Sequence, residues 1–194
     1  HSMGMKKAQL LLASEQTIDL MRARKYGVPQ NVCTKKEVSF DAAKISFPDA
    51  GHVLGSKQLL AQTPDATFLY TGDFKTQSTL LEKGAQAPNA DVLLMECTYG
   101  LSQYSFPPRE QTYAQMKKWV EKRLHAGANI VFGGYALGKS QELIKFLNDY
   151  CQITPVVNPS ISLVNKVYEK HGVKLNYVDS QEDQTALSKQ FVAV

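Results

Sequence analysis

Three side chains able to hold a metal ion or exchange a proton fall at the ends of successive apolar stretches. They are His52 in Asp49-Ala50-Gly51-His52-Val53-Leu54-Gly55-Ser56, Asp73 in Tyr70-Thr71-Gly72-Asp73, and Glu96 in Leu93-Leu94-Met95-Glu96-Cys97-Thr98-Tyr99-Gly100. Neutral imidazole is the commonest side-chain donor to zinc-like ions, and carboxylates coordinate or bridge metals. Strands that each deliver one such group to one sheet edge build a hydrolytic metal site. Each residue also has a plainer reading. His52 can be a hydrogen-bonding loop residue, and Asp73 a turn aspartate that caps its own backbone. Glu96 follows an apolar run and is costly to bury unless it is paired or metal-linked. Gly51 and Gly55 allow the chain beside His52 to turn sharply and bring the ring inward.

A second chemical candidate lies in Gly133-Gly134-Tyr135-Ala136-Leu137-Gly138-Lys139-Ser140. Glycine, four residues and then Gly138-Lys139-Ser140 formally match a phosphate-binding loop, in which backbone N–H groups and a helix start hold phosphate oxygens. The bulky Tyr135 and Leu137 and the lack of a following strand-borne aspartate count against a triphosphate. A phosphate contact at this helix start, from Lys139 and Ser140, is the expectation that survives. Its plainer counterpart is a tight strand–helix turn with Lys139 in solvent. His125 and His171, each closely followed by glycine, read as helix C-terminal residues that favour the helix dipole. Cys97 reads as a small buried apolar residue. Trp119 and the tyrosines read as core or groove-wall residues rather than a base-stacking platform.

The elements that must position these groups follow from periodicity. Residues 8–13 read as a buried strand, and Ser14 caps a helix carrying Ile18, Leu20 and Met21 that Gly27-Val28-Pro29 ends. Alternation from Glu37 to Pro48, broken by Asp41-Ala42-Ala43, predicts an antiparallel hairpin. Lys57 to Gln62 and Thr67 to Tyr70 form a second strand pair, and Val92 to Met95 a short, fully apolar strand. Beyond residue 100 the texture changes. Arg109 to His125 reads as one helix with Tyr113, Met116, Val120 and Leu124 along one stripe, stopped by Gly127. Ile130-Val131-Phe132 as strand, Ser140 to Tyr150 as helix, Thr154 to Val157 as strand and Ser162 to His171 as helix then repeat a βα theme.

The 194 residues, 43% of them hydrophobic, can bury a core in one domain or in a domain plus a lobe. A formal charge of +4 is compatible with a nucleic-acid partner without arguing for one. Cys33, Cys97 and Cys151 fit neither a disulfide framework nor a paired-cysteine metal motif, so a reducing, cytoplasmic compartment is expected. No apolar run is long enough to span a membrane. His1-Ser2-Met3-Gly4 reads as an expression scar.

Laid out together, these segments resemble the metallo-β-lactamase-fold nucleases of the β-CASP group, and most of all the branch of mRNA 3′-end processing factors and ligase-associated exonucleases. Four segments carry the resemblance in order: residues 49–56, Thr71-Gly72-Asp73-Phe74-Lys75, Glu96-Cys97-Thr98-Tyr99-Gly100, and Tyr135-Ala136-Leu137-Gly138-Lys139-Ser140-Gln141-Glu142-Leu143. The resemblance implies an α/β chain. Residues 5–100 would be part of a metallo-β-lactamase αββα sandwich, and residues 101–194 part of a βα-repeat β-CASP lobe. It implies that His52 and Asp73 are metal ligands, with Asp73 bridging two zinc ions, and that Asp73 and Glu96 are catalytic. It also implies RNA or DNA phosphodiesters as substrate, single-stranded nucleic acid as partner, and a substrate path flanked by Tyr99 to Pro108 and Gly133 to Ser140. The family's histidine-x-histidine-x-aspartate-histidine motif and its two later histidines are missing from this sequence. The expectation is therefore an excised central piece or a relative that has lost both ends. Zinc would be weak or absent in this chain, with a homodimer or partner chain as the source of further ligands. A catalytically inactive relative that binds nucleic acid or a partner is the alternative, and a phosphate-binding regulatory domain built on residues 133–140 is a third reading.

Overall fold

The computed structural model describes residues 10–194. The chain divides into two compact units, the first running to Ser78 with Glu82–Tyr99, the second comprising Thr79–Leu81 and Gly100–Val194.

In the first unit β1 (Leu11–Leu12) pairs in parallel with β2 (Val32–Cys33). Ala8 and Gln9 of the expected first strand lie outside the described residues. Helix α1 (Glu15–Ala23) starts where Ser14 Oγ accepts a hydrogen bond from Thr17 N, and it buries Ile18 and Leu20. The helix ends earlier than the Gly27-Val28-Pro29 signal indicates. Lys25 already adopts a left-handed φ of 59°, and Tyr26 N bonds back to Met21 O.

A five-stranded sheet follows in the order β3 (Glu37–Phe40), β4 (Ala43–Ser46), β5 (Leu59–Gln62), β6 (Thr67–Tyr70) and β7 (Val92–Leu94). The first four strands are antiparallel neighbours, whereas β6 and β7 are parallel, so their C-terminal ends lie at the same edge. The register stacks Val38, Phe40, Ile45, Leu59, Ala61, Phe68, Tyr70, Val92 and Leu94 on one face, because side chains alternate along each strand. That face is apolar, yet Phe40, Phe68, Tyr70, Val92 and Leu94 remain exposed. The apolar β7 is therefore a strand with exposed side chains and not a buried one.

In the second unit a parallel sheet has the order β10 (Val178–Asp179), β9 (Val156–Val157), β11 (Val192–Ala193), β8 (Ile130–Val131). Helices α2 (Arg109–His125), α3 (Lys139–Cys151) and α4 (Pro159–Lys170) accompany it. The predicted α2 stripe holds: Tyr113 and Val120 are buried and Met116 and Leu124 half-buried. Trp119 lies off that stripe and is exposed, so it is not a core residue. Helix α4 begins three residues earlier than predicted, because Asn158 caps Ile161 N and Pro159 fits the first turn. The core gathers Ile130, Ile144, Phe146, Leu147, Val157 and Tyr168. Among the described residues no helix is long and apolar enough to cross a membrane.

Candidate functional site

His52 is held by a loop whose backbone is fixed from several directions. Gly51 (φ +64°) has no room for a side chain, since a Cβ there would lie 2.7 Å from Lys75 O, Lys83 O and Ala85 N. Gly55 (φ +76°) is crowded by Gln16 and by Ser14 Oγ, and the Ser14 hydroxyl donates to Gly55 O at 2.8 Å. Ser56 Oγ accepts from the N–H groups of both His52 (3.1 Å) and Val53 (3.2 Å). Buried Gln58 ties Asp49 O to Gln86 O, and Lys75 N bonds Ala50 O at 2.9 Å. These bonds hold the loop's backbone through groups other than the imidazole.

Asp73 and Glu96 follow β6 and β7 and so come to the shared C-terminal edge of those strands. Thr71 is buried and its N–H extends the pairing to Leu94 O, after which Gly72 (φ +56°) turns the chain into Asp73. His52 Nε2 lies 3.9 Å from Asp73 Oδ2, with the two side chains 36% and 75% exposed. This is too long for a hydrogen bond and is an exposed contact of little energetic weight. The Glu96 carboxyl is lowered below the usual carboxylate range, chiefly by hydrogen bonds from Thr98, then by the Phe74 N–H and the nearby charge of His52. It therefore stays ionised at neutral pH without a metal to pair it. Cys97, expected to be buried, is exposed because it follows the uncovered β7.

Two ligands of one tetrahedral ion with bonds near 2.1 Å lie about 3.4 Å apart, so the His52–Asp73 pair needs only a small side-chain adjustment to share an ion. Catalytic zinc sites use three protein ligands. Among the described residues no three His, Cys, Asp or Glu side chains come together as a metal-holding group. His52 and Asp73 thus fit as part of a ligand set, not as a full one.

The turn at 133–140 is arranged differently. Ser140 is fully buried, its Oγ donates to Tyr135 O at 2.9 Å, and its N–H bonds the same carbonyl at 3.2 Å. Buried Gln141 accepts from Gly138 N at 2.7 Å and donates to Ala136 O and to Asn165 Oδ1. Glu142 N bonds Gly138 O. These bonds fill much of the helix start from within, and burial removes the Ser140 side chain from the nucleic-acid contact expected of it. Lys139 stays half-exposed, with Nζ 3.4 Å from Glu142 Oε2.

Glu142 is the hub that sequence reasoning missed. Its nearly buried carboxylate is paired with the Arg109 guanidinium and accepts from Tyr113 Oη at 2.9 Å. Burial, with the negative charge of Glu142, pushes the Tyr113 hydroxyl up to about 12. Tyr113 also packs on Phe146 and Tyr150, with ring centroids 5.7 and 5.1 Å apart. Arg109 and Tyr113 sit one turn apart on α2, but Glu142 lies 33 and 29 residues further on, and the only local hint is a glutamate in the first turn of a helix.

No family model matches the chain. Individual relatives do. A probable DNA ligase from Opitutus terrae is 32% identical over 170 residues, 84% of this chain and 16% of that protein. A transcription termination factor FttA from a Lokiarchaeum species is 36% identical over 111 residues, covering 55% of this chain and 18% of the factor. The cleavage and polyadenylation specificity factor subunit 3 of Dictyostelium discoideum is 28% identical over 163 residues, 80% of this chain and 20% of that subunit. The chain thus spans a fifth or less of each of these proteins. These relatives, with an RNase J-like protein of Methanocaldococcus jannaschii, place the chain in the metallo-β-lactamase-fold β-CASP nuclease family, at moderate identity over part of its length. A crystal structure of a protein of unknown function from Enterococcus faecalis V583 shares the fold: TM-score 0.65 at 14% identity, over 96% of this chain and 52% of that one.

Proposed function

We propose that the chain is the central part of a metal-dependent nuclease acting on RNA or DNA phosphodiesters. In this reading the first unit is a partial metallo-β-lactamase-like domain and the second a partial β-CASP lobe. The observation that carries it is the His52–Asp73 pair at the β6–β7 edge, with an ionised Glu96 close by. The uncovered apolar face of the five-stranded sheet supports the same reading, because a sheet with one apolar face needs a second layer.

The chain's own residues would act as follows. His52 offers an imidazole nitrogen, and Asp73 a carboxylate able to bind or bridge. Glu96, kept ionised by Thr98, accepts hydrogen bonds at the same edge and is unsuited to act as an acid at neutral pH. Lys139 supplies a positive charge for a phosphate of single-stranded nucleic acid once Glu142 shares it. Zinc, when bound, would supply an activated water and stabilise the departing oxygen.

A second reading, a silent relative that binds nucleic acid or a partner, draws on the two-donor set among the described residues. End-labelled single-stranded RNA and DNA, incubated with zinc or manganese, separate the two. This chain alone should cleave negligibly, since two donors hold metal weakly. The chain within its natural open reading frame should cleave, and His52→Ala should abolish that cleavage. Substrate left intact by the unsubstituted chain within its natural open reading frame would favour the silent reading.

A further inference from the structure

The outward face of α2 carries a constellation that the proposed function does not use. At 100° per residue, positions 118, 119, 122 and 123 form a strip about 140° wide, away from the buried Tyr113–Val120 stripe. All four side chains in it are exposed: Lys118, Trp119, Lys122 and Arg123. The acidic Glu121 at the strip's border is engaged by Lys117 at 3.8 Å. No ion pair to Lys118 or Lys122 occurs among the described residues.

Trp119 is 44% exposed, which is unusual for the largest apolar side chain in a unit that has a core to fill. Its indole is also braced. The edge of Phe132 meets it with centroids 5.9 Å apart at 64°, and the Arg123 guanidinium carbon lies 5.7 Å from the ring centroid. A steadied aromatic surface among three cations is the arrangement by which proteins hold single strands without regard to sequence. A ring stacks on a base while lysines and arginines meet the phosphates on either side.

We propose that this strip of α2 binds single-stranded RNA or DNA, with Trp119 stacking on a base and Lys118, Lys122 and Arg123 meeting the flanking phosphates. The inference rests on the nucleic-acid reading above, because charge complementarity alone would also admit an acidic protein surface.

Trp119 is the single tryptophan of the chain, so its fluorescence reports the strip directly. Oligothymidylate and oligouridylate carrying a 5′ label are titrated, and anisotropy is followed beside tryptophan emission. The expected result is one binding curve seen by both signals. Trp119→Ala should weaken it about tenfold, with Trp119→Phe recovering most of the affinity because a ring remains. Lys118→Gln with Lys122→Gln should reduce the salt slope by about 1.4, at roughly 0.7 per phosphate contact of a single strand. Binding with unchanged emission and a full-strength Trp119→Ala variant would overturn the inference and leave the proposed function standing. Equal quenching by polyglutamate would also overturn it, in favour of a general polyanion surface. Failure of both oligonucleotides to bind would overturn the inference together with the nucleic-acid reading beneath it.

Discussion

Two glycine-bent loops in this chain lead into polar side chains, and they handle those side chains in opposite ways. Around His52 the loop backbone is satisfied by residues other than the histidine, namely Ser14, Ser56 and Gln58. The half-buried imidazole lies 3.9 Å from the exposed Asp73 carboxylate. Around Gly138 the polar side chains themselves close the turn: Ser140 and Gln141 are buried on backbone carbonyls and Glu142 gathers Arg109, Tyr113 and Lys139. Glycine plus a chemically capable residue is thus not a site. What decides is whether the turn can satisfy its own backbone without that residue, since unpaired buried backbone groups are costly.

The contrast can be broken most sharply at Gly51. A Cβ there collides with three backbone atoms and the residue must hold a positive φ, so Gly51→Ala should cost about 3–4 kcal/mol from overpacking and strain together. Chemical denaturation would register this as a lowered midpoint of the first unit's transition. In the other loop the weight lies on Glu142. Glu142→Ala leaves Arg109 without its partner in a site only a quarter open to solvent, and a loss of about 2–3 kcal/mol is expected. Lys139→Ala, which removes only a half-exposed arm of the same cluster, should stay within about 0.5 kcal/mol. Thermal melting of the two variants side by side reads the difference. Equal effects would mean that the Glu142 hub is not where the turn's stability lies.

A smaller effect sharpens the same point through pH. The Tyr113 hydroxyl titrates higher in the folded chain than when unfolded, so folding favours its protonated form. Its contribution is complete below about pH 10, the unfolded value, and is lost as pH rises toward 12. Up to about 2 kcal/mol of stability should disappear across that window. Tyr113→Phe should lack the step, so the melting-temperature gap between wild type and variant should change between pH 10 and 12 and be flat below it.

Much of the scaffold was legible because it is periodic or capped. The α2 stripe, the Ser14 cap and the β3–β4 hairpin turning at Asp41 (φ 49°) all carry local signals. Strands β10 and β11 were not legible. Each is two residues long, and β11 enters the sheet between β8 and β9 through contacts distant in sequence. The exposure of β7 was hidden for a related reason, because an apolar run shows that a strand needs cover but not whether cover is present. At the β6–β7 edge, residue types and spacing pointed to His52, Asp73 and Glu96, and parallel pairing explains why the last two follow the same sheet edge. At the second loop the same reasoning selected Ser140, whose hydroxyl is used internally. The partners of Glu142 come from a different helix, which no local pattern encodes.

The central claim is that the His52–Asp73 edge is an open, partial metal-ligand set. Zinc titration by calorimetry, on protein prepared without added metal and on its His52→Ala and Asp73→Asn variants, tests it most directly. The account predicts a single weakly held ion per chain whose binding is lost in either variant. Two zinc ions per chain that survive dialysis, or zinc binding unchanged by His52→Ala, would contradict it.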